Sequence, residues 1–280
     1  MAQKQSARQS SKEKRLLINN PTVGADIEVF LQDKDTNAIV SAEGIIKGAK
    51  HAPFKFLEGD DFFATSLDNV MAEFCIPPAK TANDFKEYIS YAISWINGFI
   101  PKNLQTLASP AARVDGRFLQ TENAKLFGCE PDFNAWEWGD QNEKPCPTGD
   151  LRSCGGHIHI GYENPKGDTN LELIRIMDIF LGLPSILQEP DNERKSLYGK
   201  AGAFRHKTYG VEYRTISNYY VNSPRLMEWV YNNTLEAIDF VNKEQHITPE
   251  EGQAVRHAIN SNDKKLADML IGYYGVKLAA

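Results

Sequence analysis

Cysteine is scarce in this chain. There are four, Cys75, Cys129, Cys146 and Cys154, and none are spaced as C-x-x-C. A zinc knuckle built on such pairs is excluded, and free thiols in a reducing cytoplasm are the simplest expectation. No run of about 18 apolar residues occurs, so no membrane-crossing helix is expected. From Met1 to Arg15 the sequence is polar and basic, without the apolar stretch of a secretory signal. A basic excess is missing as well: 31 Lys and Arg against 37 Asp and Glu leave a net charge of -6. That balance argues against a nucleic-acid partner. Neither G-x-x-x-x-G-K-[ST] nor the Rossmann fingerprint is present, so a bound nucleotide would be held in another way. No internal repeat or low-complexity linker divides the chain.

What remains is ordinary globular material. Of 280 residues, 41% are hydrophobic and 24% charged, enough to bury a core without covalent staples. Residues 1–15 lack apolar periodicity and read as a disordered basic tail, leaving 16–280 as one domain. Ala25 to Leu31 alternates as a half-buried strand, and the turn Asp35-Thr36-Asn37 returns it to Ala38–Ser41 as a hairpin. A further strand is expected from Asn69 to Ile76, stopped by Pro77-Pro78. Thr81 or Asn83 caps a helix whose apolar positions are Phe85, Ile89, Ile93, Ile96 and Ile100. Residues 101–153 form an irregular, aromatic wall. His157 to Tyr162 is a strand, a helix from Asp168 or Thr169 ends near Gly182-Leu183-Pro184, and Val211 to Ile216 is a strand. The C-terminal part is helical, with Ser223-Pro224 and the capping box Thr248-Pro249-Glu250-Glu251 as starts, and a last helix over Asp263–Tyr273. Strands and helices do not alternate as βαβ units, so the class expected is α+β with a mostly antiparallel sheet flanked by helices.

Three of these strands carry a polar pair separated by one residue: Asp26-x-Glu28, His157-x-His159 and Glu212-x-Arg214. Side chains at i and i+2 of a strand share a face, and the intervening Ile27, Ile158 and Tyr213 turn the other way. Asn69 and Glu73 share a face by the same parity. Carboxylates gathered on one face cannot all ionise without cations, and divalent metal is the natural counter-charge. Oxygen ligands suit Mg²⁺, and an imidazole widens tolerance toward Mn²⁺. Two glycines, Gly155 and Gly156, precede His157 and permit close approach of backbone or ligand. The stretch from Asp191 to Gly210 adds Arg194, Lys195, Lys200, Arg205 and Lys207 among three glycines. A mobile cationic loop beside metal and carboxylates is what phosphoryl transfer needs.

Gly24-Ala-Asp26-Ile-Glu28, Asp68-Asn69-x-x-x-Glu73, Gly155-Gly-His157-Ile-His159-Ile-Gly161 and Tyr209-Gly-Val-Glu212-Tyr-Arg214 occur in one order. Over roughly residues 20–222 that ordered set resembles the glutamine synthetase-like carboxylate–amine ligases, and especially the phage-type COOH–NH2 ligase branch. The resemblance implies a sheet curved into a partial barrel or funnel. It implies an enzyme that joins a carboxylate to an amine with ATP through an acyl phosphate, using two or more Mg²⁺ or Mn²⁺ ions. By motif, Asp26, Glu28, Glu73, His157 and Glu212 are the implied metal ligands, His159 a phosphate contact and Arg214 the transition-state cation. Arg194 and Arg205 align loosely with phosphate- and substrate-binding arginines, and Lys195, Lys200 and Lys207 join them in contacting nucleotide. Here the first pair is Asp-x-Glu rather than Glu-x-Glu, so Asp26 reaches less far. The N-terminal domain that completes active sites between glutamine synthetase subunits is lacking, and oligomeric state is not inherited. The implied partners are small-molecule or peptide carboxylates and amines. Glu58, Glu130 and Asp132 are candidates for the base. Two rivals remain: a cupin-like metal oxygenase or hydrolase built on His157 and His159, and a non-catalytic binding protein with a ligase-like fold.

Overall fold

The computed structural model describes residues 17–57, 62–125, 132–143, 149–189 and 193–279. The expected tail over 1–15 lies outside them, as do Glu58, Glu130, Cys129 and Cys146. The chain opens with β1 (Thr22–Asp33) and β2 (Ile39–Val40), then a small hairpin of β3 (Gly48–Ala49) and β4 (Ala52–Lys55), then a longer one of β5 (Ala64–Asp68) and β6 (Met71–Ala79). Helix α1 (Ala82–Phe99) leads to β7 (Leu104–Leu107), β8 (Ala111–Arg113), α2 (Glu122–Lys125), β9 (Phe133–Asn134) and β10 (Asp140–Gln141). After β11 (Leu151–Ser153) and β12 (Gly156–Gly161) come α3 (Gly167–Met177), α4 (Leu183–Gln188) and α5 (Arg194–Leu197). The hairpin of β13 (Ala203–Lys207) and β14 (Gly210–Tyr213) precedes the closing helices α6 (Pro224–Asn242), α7 (Pro249–Ser261) and α8 (Lys264–Tyr274).

One large sheet runs in the order β10-β9-β13-β14-β12-β1-β6-β5-β3-β4, with β2 and β7 on the far half of β1. All its pairings are antiparallel except β3 with β5. Among the described residues no pairing joins β10 to β4, so the sheet stays open. The α+β class with a mostly antiparallel sheet is as the sequence implied.

The two faces of the central strands divide as parity requires. Ile27, Phe74, Ile158 and Tyr213 are buried on the helix side, where α1 packs on β6, α3 on β13 and β14, and α6 against α1 and α3. The helices form where the sequence marks them. Thr81 accepts the Asp84 amide at 3.1 Å, and Phe85, Ile89, Ala92 and Ile96 make the buried stripe of α1. Thr248 and Glu251 complete a reciprocal capping box on α7, Ser223 caps α6 and Asp263 caps α8. Each cap satisfies amides that the first helical turn leaves without partners.

Three expected boundaries move. Strand β6 runs through Pro77 and Pro78 to Ala79, because the β1–β6 register shifts between Val23 and Ala25 and asks no ladder bond of either proline. The helix expected to stop near Pro184 continues: a wide π turn over Asp178–Gly182 feeds α4, where Pro184 lies in the first turn and needs no amide. Asn69 is not on a strand. It sits at φ 57° in the turn between β5 and β6, and its side chain bonds the Asn123 and Ala124 carbonyls and Arg152, so it does not share a face with Glu73.

Candidate active site

Antiparallel register carries one face from strand to strand, because directly opposed residues point the same way. Glu28 on β1 opposes Glu73 on β6, which opposes Ser66 on β5. Asp26 opposes His157 on one side and Cys75 on the other. His159 opposes Glu212, and Glu212 opposes Arg205 on β13. All lie on the face away from the helices.

Two triads result. Glu28, Asp68 and Glu73 bring one carboxylate oxygen each to within 4.8 Å of the others, and Asp26, His159 and Glu212 do the same with two carboxylates and an imidazole. Asp26 and Glu28 are alternate residues of β1, so that strand contributes a ligand to each.

The first triad is electrostatically crowded. Removal from water and then the neighbouring Asp68 raise Glu28 to about 7. Removal from water, followed by Asp68, Asp26 and Glu28, raises Glu73 to about 8. Lys50 opposes both shifts from 2.8 Å beyond Asp68, and the Gly155 amide donates to Glu28 at 2.6 Å. A divalent cation would relieve that crowding, and three oxygen donors suit Mg²⁺ or Mn²⁺.

The second triad is held by cations. Burial alone would raise Glu212, yet Arg214, His159, His157 and Lys207 together hold it well below the usual carboxylate range. Arg214 contacts Glu212 directly, Lys207 lies 2.8 Å and Arg205 3.9 Å from its oxygens. The Lys207 contact lacks hydrogen-bond geometry, and His159 Nε2 lies 3.1 Å from Asp26. Glu212 Oε2, buried and in ion contact but without a hydrogen bond, is suited to ligation. Burial would lower His159, but Asp26 and Glu212 raise it above the ordinary histidine value, and Tyr209 bonds its Nδ1.

His157 is placed differently from His159. Burial, with Arg214 next, pushes it well below the ordinary histidine value. Its Nδ1 meets Arg214 at 3.1 Å, while its Nε2 is buried without a partner. A Cβ on Gly155 would lie 2.2 Å from that Nε2 and one on Gly156 2.4 Å from the Ser217 carbonyl. The glycine pair thus admits an imidazole and a neighbouring backbone. The geometry brings His159 into a triad, and His157 Nδ1 lies 3.5 Å from the Glu212 of that triad without being one of its three members.

Arg214 sits one residue beyond β14 yet converges with Glu212 as expected. Its guanidinium also bonds Tyr198, with Nε at 2.8 Å, and Asp132 lies 3.7 Å away. Arg205 and Lys207 face the site from β13. Arg194 and Lys195 do not reach it. The expected cationic loop is helix α5 and strand β13 in its described part, and α5 turns both heads inward. Arg194, fully buried, donates to the carbonyls of Cys154, Arg214, Thr215 and Ile216. Lys195 donates to Gly199 and Thr215, and exposed Lys200 to the Lys195 carbonyl. These donors hold the backbone under Arg214 because buried carbonyls must be satisfied.

Two cavities open on this face. One, about 460 Å³, is lined by Lys50, His51, Ser66, Glu73 and Arg205; the other, about 430 Å³, by Gly24, Phe62, Ile76, Pro78, His159, Lys207 and Tyr209. Asp26 and Cys75 line both.

The sequence reading missed Lys50 and Tyr198 as parts of this face, and it gave no role to Asp68 and Tyr209, which stand in its motifs. Asp68 was within reach: with Asn69-Val70 as a two-residue turn, Asp68 opposes Met71 and falls into parity with Glu73. Lys50, from a remote hairpin, left no local signal.

A sheet face with two acid-rich triads beside fixed arginines defines a candidate metal-dependent group-transfer site. Comparison with known proteins agrees with the resemblance read from the motifs: residues 150–265 match the family described as "Phage phiEco32-like COOH.NH2 ligase-type 2". The match includes β12, β13, β14 and Arg214. No curated protein sequence matches the chain. Among solved structures, the bifunctional glutathione synthetase from Pasteurella multocida is similar at a TM-score of 0.42 and 10% identity, over 91% of this chain and 49% of that one. The chain thus spans about half the length of that protein. Among the described residues no helix is long and apolar enough to cross a membrane.

Proposed function

We propose that the chain is an ATP-dependent carboxylate–amine ligase that works through an acyl phosphate, on a sheet of the glutamine synthetase catalytic type. The observation that carries this reading is the pair of ligand triads fed by alternate residues of one strand, with Arg214 fixed beside them. Glu28, Asp68 and Glu73 would hold one divalent ion, and Asp26, His159 and Glu212 another. Bound there, Mg²⁺ or Mn²⁺ would neutralise the oxygens of a triphosphate.

A carboxylate is a poor acyl donor because its leaving group would be oxide. In the proposed reaction its oxygen attacks the γ-phosphorus and ADP leaves. The amine then attacks the acyl carbon, phosphate leaves, and the amine's excess proton passes to a base. Arg214 is assigned to the charge that spreads over the migrating phosphoryl group. Its orientation is pre-set by Glu212, His157 and Tyr198. Arg205 and Lys207 are assigned to the phosphates and the carboxylate. Asp132, beside Arg214, is the base candidate within the described residues. The cavity of about 430 Å³, with its apolar Phe62, Ile76 and Pro78 wall, is assigned to nucleotide, and that of about 460 Å³, rimmed by Lys50, His51 and Arg205, to the carboxylate substrate.

Calorimetric titration of ATP with and without Mg²⁺, followed by ADP release in a panel of carboxylates and amines, tests the proposal. Metal-dependent binding and amine-dependent turnover are expected. ATP binding of equal strength in excess chelator would overturn it.

A further inference from the structure

Each triad has a lysine laid against one of its carboxylates. Lys50 Nζ lies 2.8 Å from Asp68 and Lys207 Nζ 2.8 Å from Glu212. In both pairs the acid is fixed and the cation is peripheral: the side chains of Asp68 and Glu212 are 4% and 1% exposed, those of Lys50 and Lys207 37% and 28%. Both lysines belong to tight hairpins. Lys50 and His51 are the two residues joining β3 to β4, and Lys207 directly precedes the two that join β13 to β14. The lysines also lie in different cavities, Lys50 in the one with Glu73 and Lys207 in the one with His159.

We infer that Lys50 and Lys207 are built-in counter-ions, each displaced from its triad by a divalent ion, and that displaced Lys207 then serves the triphosphate. The inference rests on the ligase reading above and adds to it a gate on metal entry. The physical reason is competition. An ammonium and a divalent ion that use the same carboxylate oxygen repel each other, and a triad ligand already paired with a lysine is a weaker ligand. A lysine suits this task because its charge is compact and rides on a flexible four-carbon stem, so it withdraws without breaking the strand that carries it. Arg214 contacts the same Glu212 but is buried and multiply bonded, and it stays.

Mn²⁺ binding to the full chain without nucleotide, read from the loss of the free-ion paramagnetic resonance signal, tests this on Lys50→Met, Lys207→Met, Lys50→Arg and the unsubstituted protein. Each methionine variant is expected to tighten one Mn²⁺ site about tenfold, and Lys50→Arg, which keeps the charge, to tighten neither. At saturating Mn²⁺, Lys207→Met is expected to bind a non-hydrolysable ATP analogue about tenfold more weakly, opposite to its effect on metal. A purely structural ion pair would lower the melting temperature and leave Mn²⁺ affinity unchanged. Lys50→Gln serves if Lys50→Met does not fold. Mn²⁺ sites in the unsubstituted protein that stay the same or weaken in the methionine variants would overturn the inference alone. No Mn²⁺ binding to the unsubstituted protein would overturn the metal reading and the inference with it.

Discussion

Arg194 is the residue on which sequence and structure part most sharply, and Arg194→Met separates them. The guanidinium is fully buried and donates to four carbonyls: Cys154 at 2.9 Å, Thr215 at 2.8 Å, Ile216 at 3.1 Å and Arg214 at 3.4 Å. After substitution Thr215 keeps Lys195 and Ile216 keeps the Gly156 amide. The carbonyls of Cys154 and Arg214 lose the guanidinium. Each buried group left unsatisfied costs roughly 1–3 kcal/mol, and charge-assisted bonds lie at the upper end, so the loss is about 3–5 kcal/mol. For a chain of this size that corresponds to roughly 10 °C in melting temperature. Thermal melting and Mg²⁺–ATP analogue calorimetry on one preparation measure both consequences. The expected result is a large fall in melting temperature with nucleotide affinity of the folded fraction changed less than about threefold, since no Arg194 donor faces the cavities. A melting temperature that moves by less than about 2 °C while affinity falls more than about tenfold would show that the side chain meets phosphate, and would refute this reasoning.

Arg214→Lys keeps a cation but not the planar fork that meets Glu212, His157 and Tyr198; ADP release should fall roughly 10²–10³-fold. Unchanged turnover per folded molecule would make Arg214 a strand anchor only. Gly155→Ala puts a methyl 2.2 Å from His157 Nε2, and the displaced ring should cost about 10²-fold in turnover with little change in circular dichroism; wild-type turnover would show that the ring is not needed there. In chelator, melting temperature should fall as pH rises from about 5 to about 8 and level off above that. Glu28 and Glu73 keep their protons to about 7 and about 8 in the fold against 4.5 when unfolded, so between those values the folded state holds protons the unfolded state has lost, and it loses up to ~1.4 kcal/mol per pH unit for each carboxyl until the folded group too has ionised. Mg²⁺ should flatten that slope by taking the protons' place, and a melting temperature that climbs with pH in chelator would contradict the assignment.

Local rules carried the sequence reading a long way. Strand parity alone put Asp26 with Glu28 and His157 with His159, and sent Ile27, Ile158 and Tyr213 into the core. Caps and helical spacing located α1, α6, α7 and α8, because a cap and the stripe it begins lie within a few residues of each other. The ordered motifs pointed to the ligase family that residues 150–265 match.

Parity says which residues share a face, but not which strand lies beside which, and that limit accounts for the site residues left unread. His157 and His159 are equivalent to parity. The β12–β14 register opposes His159 to Glu212, and the β1–β12 register, with Gly155 and Arg214, turns His157 into a buried niche. Arg194 and Lys200 look alike in a list of charges. Only the packing of α5 beneath residues 214–216 decides that one is a backbone clamp and the other is exposed. Charge and spacing along a chain are local properties and are legible in sequence. The partner that meets a charge across tens or hundreds of residues, such as Lys50 on Asp68 or Arg194 on Thr215, is set by strand order and packing, which the folded chain alone determines.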